Sequence, residues 1–139
     1  MPSPPMPILD ELTEPFWTGA QEGRLVIQRC SACSYFIHMP LPICPRCSSF
    51  DLGFTEVSGR GSIYSFTDTN RAFHPFFVDR LPYLVAVIQL EEQDGLRLVT
   101  NLVDVAEPDV AFDMPVEVRY VALSDELTIP AFAPASSAS

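Results

Sequence analysis

All four cysteines of the chain fall inside one stretch, "CSACSYFIHMPLPICPRCS", residues 30–48. Cys30, Cys33, Cys44 and Cys47 follow the spacing C-x2-C-x10-C-x2-C. Each CxxC is a tight turn that aims two sulfurs at one point, and two such turns complete a tetrahedron around one metal ion. A segment this short cannot bury enough apolar surface to fold unaided. A structural zinc supplies what is missing, about 10–16 kcal/mol of apparent binding free energy. The spacing therefore predicts a zinc ribbon with these four residues as ligands. An iron centre of rubredoxin type uses the same sulfurs and stands as the alternative metal. Two redox dithiols at this spacing would be redundant, and free thiols are the weakest reading. Four thiolates leave the metal no open position for water or substrate, so its expected role is architectural rather than catalytic. Ser34 and Ser48 follow the second cysteine of each pair. Glycine is common there because the backbone favours positive φ, and serine costs about 1 kcal/mol at each site.

The remainder of the 139 residues is enough for one domain, or for a small domain carrying an added module. At 47% hydrophobic the chain can build a core, and its 14 prolines favour short strands and loops over long helices. The net charge of −10 is uneven: residues 1–82 carry eight acids against six arginines, residues 83–139 ten acids against two, and there is no lysine. The opening "MPSPPMPILDELTEP" is Pro-rich and acidic rather than signal-like, and the longest apolar run, "YLVAVIQL", is far short of a membrane span. The expectation is a cytoplasmic protein with no membrane association, in which paired cysteines stay reduced and bind metal.

Along the chain, residues 1–7 read as a disordered start, and Ile8, Leu12, Phe16 and Ala20 recur at near-helical spacing. Pro15 interrupts that pattern, so one short helix beginning near it, or two broken turns, is expected before Gly23. "RLVIQRC" reads as a strand entering the first CxxC, and a Gly turn at 58–61 leads into a strand through Ile63 and Phe66. After the aromatic loop "RAFHPFFVDRLP", "YLVAVIQL" and "LRLVTNLVDV" flank the turn "EEQDG" as a hairpin. "MPVEVRYVAL" and "LTIPAF" supply the last strands. The fold class is mainly β: an N-terminal helical segment (1–24), a rubredoxin-like zinc ribbon (25–53), a C-terminal OB-fold antiparallel barrel (54–133) and a flexible tail (134–139).

The stretches "PFWTGAQEGRLVIQRC", "SGRGSIYSFT", "LPYLVAVIQLEE", "LVTNLVDV" and "MPVEVRYV", together with the cysteine spacing, resemble the acyl-CoA-associated zinc-ribbon/OB-fold family, domain of unknown function number thirty-five. The departures are the two serines above and Asp113, where that family pattern has Gly before Met-Pro-Val. The resemblance implies a partner role. Similar proteins associate with thiolase-like enzymes, including acyltransferases, synthases and sterol-carrier-type thiolases that act as retro-aldolases on steroid side-chain acyl-CoA thioesters. It implies a two-fold heterotetramer with such a subunit, catalytic groups on the partner, and a share in the acyl-CoA site.

The residues themselves agree with a non-catalytic chain. There are two histidines, every cysteine is committed, and no GxSxG elbow occurs. His38 reads as a packing residue within the ribbon, and the acids of "EEQDG" as a solvated turn. Coenzyme A presents phosphates and an adenine, which suit arginines and a stacking surface. The candidates for acyl-CoA contact are Arg60, between two glycines, and the cluster of Arg71, Phe73 and His74 with Phe76 and Phe77. Phe16 and Trp17 are the candidates for partner docking, since aromatics anchor interfaces. A ribbon joined to an OB barrel also suits single-stranded nucleic acid, but a lysine-free chain at −10 argues against binding phosphates. A rubredoxin-like electron carrier would need iron and a use for the barrel.

Overall fold

The computed structural model describes residues 3–135. A single helix, α1 (Glu14–Gln21), starts as Pro15 requires, with the proline in the first turn where no N–H is needed. Ahead of it Asp10 Oδ1 accepts hydrogen bonds from the N–H groups of Leu12 and Thr13, both at 2.9 Å. The helix closes in a Schellman pair, Arg24 N–H to Gly19 O at 2.8 Å and Gly23 N–H to Ala20 O at 3.1 Å.

The ribbon contributes a three-stranded antiparallel sheet in the order β2-β1-β3, from β1 (Val26–Cys30), β2 (Phe36–Ile37) and β3 (Leu52–Glu56). The remaining strands are β4 (Arg60–Thr69), β5 (Tyr83–Leu90), β6 (Arg97–Leu102), β7 (Pro115–Ala122) and β8 (Thr128–Pro134). They close a barrel in the order β4-β5-β6-β8-β7, the topology expected of an OB-fold. In β5 Leu84, Ala86, Ile88 and Leu90 point inward while the residues between them are half-exposed, the period-two pattern of a one-sided strand. Four seams are antiparallel. The fifth, β6 against β8, is parallel and holds a single residue pair, Leu102 with Phe132.

Barrel and ribbon share one core. Leu25, Ile27 and Phe36 pack with Ile63, Ile88, Leu98, Val116 and Phe132, whereas Cys30, Ile37 and Cys44 form a second, small cluster. Two expectations shift at the ends. Pro4 is buried, and Pro5, Met6 and Pro7 line a hollow together with Trp17, Phe77 and Ile129, so this part of the start runs beside the barrel. Pro134, assigned to the tail, pairs with Val116 inside β8, while residues 136–139 lie outside the described residues, as do residues 1 and 2.

Candidate metal centre and the apolar cleft beside it

The two CxxC turns are built alike. Cys30 N–H donates to Tyr35 O and Cys44 N–H to Ser49 O; Ser34 N–H donates to Cys30 O and Ser48 N–H to Cys44 O, all at 2.9 Å. Ser34 and Ser48 take φ of 67° and 65°, and Asp113 takes 63°, so each non-glycine departure sits in the left-handed region. The four sulfurs lie within 4.8 Å of one another, with Cys30 to Cys47 at 3.6 Å and Cys33 to Cys44 at 3.7 Å. A tetrahedron of ~2.3 Å zinc–sulfur bonds has edges of about 3.8 Å, so the donor set and its spacing fit a tetrathiolate metal. The electrostatics ask for a cation. The Cys33 backbone N–H favours the Cys30 thiolate and brings its pKa to about 7. Burial opposes ionisation of Cys44, yet the N–H groups of Cys47 and Arg46 outweigh it and the pKa is lowered. At Cys47 the Ser49 N–H favours the thiolate, but burial and the three other sulfurs prevail and the pKa rises to about 12. Four thiolates this close need a metal to neutralise them.

Two glutamines that the sequence did not single out fix the ribbon. Gln28, the buried polar residue of β1, donates Nε2 to Leu41 O and accepts at Oε1 from Leu41 N–H, both at 2.8 Å. Gln93 does the same to Phe36, accepting from its N–H at 2.9 Å and donating to its carbonyl at 3.0 Å. Its amide thus stands in for a neighbouring strand along the edge of β2. The "EEQDG" turn, expected to be merely solvated, is a tether: Glu91 pairs with Arg60 at 3.0 Å, and Glu92 Oε2 accepts from Ser58 N–H at 2.8 Å.

The candidate acyl-CoA residues separate into two places. Arg60 opens β4 and the aromatic loop follows its end, nine residues on, or about 30 Å at strand rise. The glycines flanking Arg60 serve the barrel itself: a side chain at Gly59 would strike Val118, and one at Gly61 the Gln89 carbonyl. In the loop, Arg71 stacks on the exposed Phe73 at 5.6 Å and Arg80 on Phe76 at 4.2 Å. His74 Nδ1 accepts from Phe76 N–H at 3.1 Å and caps the short 3-10 turn Pro75–Arg80.

Phe16 and Trp17 meet edge to face at 5.0 Å on α1, and Phe16 also lies 5.6 Å from the His38 ring. Burial lowers the His38 pKa, so the ring is neutral at pH 7. These aromatics wall an apolar cleft of about 230 Å³, closed by Met39 and Pro40 from the ribbon and by Val99 and Ile129 from the barrel. No local sequence signal marks this cleft, because four distant segments assemble it.

A closed four-cysteine ribbon joined to a five-stranded OB barrel, with an apolar cleft at their junction, defines a ribbon/OB-fold protein. Residues 17–53 match the family described as "ChsH2, rubredoxin-like zinc ribbon domain" and residues 54–121 "ChsH2, C-terminal OB-fold domain". The chain belongs to this ChsH2-type family, DUF35. It is 45% identical over 121 residues to the "Probable enoyl-CoA hydratase alpha subunit" of Thermomonospora curvata, matching 86% of this chain but 37% of that protein. The chain thus spans little more than a third of that relative. It is 28% identical over 119 residues to a "DUF35 domain-containing scaffold protein" of Methanocaldococcus jannaschii, with 84% of this chain and 82% of that one covered. Among solved structures it superposes on a chain of the "Ltp2-ChsH2(DUF35) aldolase" with a TM-score of 0.85 and 40% identity, over 94% of this chain and all of that one.

Proposed function

We propose that the chain is a non-catalytic subunit that binds and supports a thiolase-like acyl-CoA enzyme of aldolase type, with Zn2+ as its structural metal. The observation that carries this reading is the likeness, over the whole of the other chain, to a component of an aldolase complex. The tetrathiolate geometry supports it, because a closed metal shell scaffolds and does not activate substrate. Reduced, metal-bound thiols suit a cytoplasmic setting; among the described residues no helix is long and apolar enough to cross a membrane. The assembly is a two-fold heterotetramer. Coexpression with thiolase-like subunits from the same genome, followed by size-exclusion chromatography and metal analysis, is expected to give a stable complex with one zinc per chain. Elution as a lone chain beside every such subunit would overturn the proposal, and iron in place of zinc would revive the electron carrier.

The name of the first relative favours a second assembly, with an enoyl-CoA hydratase-type subunit, and the same coexpression with such a subunit decides between them. Arg60 is engaged by Glu91, so any coenzyme contact falls to the aromatic loop, where Arg71 stacks on the exposed ring of Phe73. Arg71→Ala in the assembled complex is expected to raise KM for the acyl-CoA about tenfold with kcat unchanged. An unchanged KM would remove this loop from the site.

A further inference from the structure

Three hollows adjoin across the β6–β8 seam and share Asn101 and Ile129 in their linings. Together they run from Met39 and Phe16 past Trp17 and Val99 to Phe77 and Leu123, with Pro5–Pro7 forming part of the middle wall. The surface is apolar and open: Val99 is 68% and Met39 67% exposed, although each sits among aromatic and branched neighbours. Its ribbon wall is held firmly, since Met39 lies between Phe36, gripped by Gln93, and Leu41, gripped by Gln28. A rigid, preorganised apolar surface loses little entropy when covered.

The rim is acidic. Exposed Glu14 stands one turn before Trp17 on α1, exposed Asp125 and Glu126 lie in the turn between Leu123 and Leu127, and exposed Asp104 follows Val103. Among the described residues lining the hollows Arg80 is the one permanent cation, and it is stacked on Phe76. Such a rim repels the phosphates of a coenzyme and attracts lysine and arginine.

We infer that this trough is the docking seat for a protein segment of the partner subunit, apolar along its centre and flanked by basic residues, and that it is not an acyl-CoA channel. The inference rests on the subunit role proposed above and names the face through which it is exercised. Phe16 and Trp17 act here as walls of the seat together with the ribbon, rather than as free-standing anchors.

The test uses the full-length chain coexpressed with the thiolase-like subunit, with affinity measured at low and at raised salt. Met39→Glu combined with Val99→Glu changes two exposed side chains, and zinc content and circular dichroism verify the fold. The double variant is expected to bind the partner about 100-fold more weakly. Glu14→Lys with Asp125→Lys is expected to weaken binding about tenfold and to flatten its salt dependence. Phe50→Glu, at a ribbon position 79% exposed and outside the trough, is expected to leave affinity unchanged. Undiminished affinity in the Met39/Val99 variant overturns the seat and leaves the subunit role standing. A complex that stays intact while acyl-CoA affinity falls reassigns the trough to the acyl group and overturns it as well. A wild-type chain that binds no such subunit overturns both claims.

Discussion

Ser34, Ser48 and Asp113 occupy backbone positions with φ between 63° and 67°, where a Cβ is strained and glycine is not. Ser34 and Ser48 were marked by the local turn chemistry of a CxxC knuckle, and Asp113 as a departure from the family pattern the chain resembles. Ser48→Gly is expected to raise stability by about 0.5–1 kcal/mol, the relief of strain less the entropy glycine brings to the unfolded chain. Gly61→Ala is expected to cost about 1–3 kcal/mol, since its methyl would press on the Gln89 carbonyl. Thermal unfolding of the metal-loaded chain checks both. His38 gives a pH signature. Its pKa is lowered by burial, so below pH ~6.5 the unfolded chain takes up a proton that the folded chain resists. Folding stability therefore falls as pH drops through that value, and His38→Phe is expected to remove this component. Denaturant titrations of the two proteins between pH 7.5 and 5.5, about one unit either side of the ordinary histidine value, would show no difference in slope if the ring were freely solvated.

Strands and helix were legible where burial is one-sided. The alternation in "YLVAVIQL" and the position of Pro15 specify β5 and α1 through forces acting within a few residues. The two glutamine clamps were not legible, because their meaning depends on what lies opposite. Gln93 satisfies Phe36, 57 residues earlier, and from the sequence alone it is one polar residue in an acidic turn. The same holds for Arg60, whose flanking glycines admit a neighbouring strand rather than a ligand. Gln93→Ala leaves a buried N–H and carbonyl of Phe36 without their partners, at an expected cost of about 1–3 kcal/mol. Hydrogen exchange at the Phe36 amide is expected to accelerate selectively; exchange at the wild-type rate would mean that the clamp is decorative.

Across the molecule, the division of the core predicts what metal removal does. Leu25, just ahead of β1, with Ile27 of β1 and Phe36 of β2 belongs to the barrel's own cluster, whereas Cys30, Ile37 and Cys44 form a small cluster at the candidate metal site. Chelation is expected to unprotect residues 31–50 while the barrel strands keep their slow-exchanging amides, read by hydrogen exchange with and without chelator. Simultaneous loss of both would show that the ribbon and barrel fold as one unit. The clustering of the four cysteines could be read from spacing alone, but the cleft could not, since α1, the loop after β2, β6 and β8 meet there only after the barrel has closed.

That closure is thin at one line. Between β6 and β8 stand one ladder pair, the Val103 N–H to Phe132 O bond at 2.9 Å and the Thr100 hydroxyl on the Pro130 carbonyl, and Pro130 itself has no N–H to give. A solitary chain is expected to breathe first at this hem, exposing unpaired edges to the cell's degradation machinery. A companion lying across the hem would act as a clasp, so the lifetime of each copy would follow the supply of its companion, and surplus copies would be cleared without any dedicated signal.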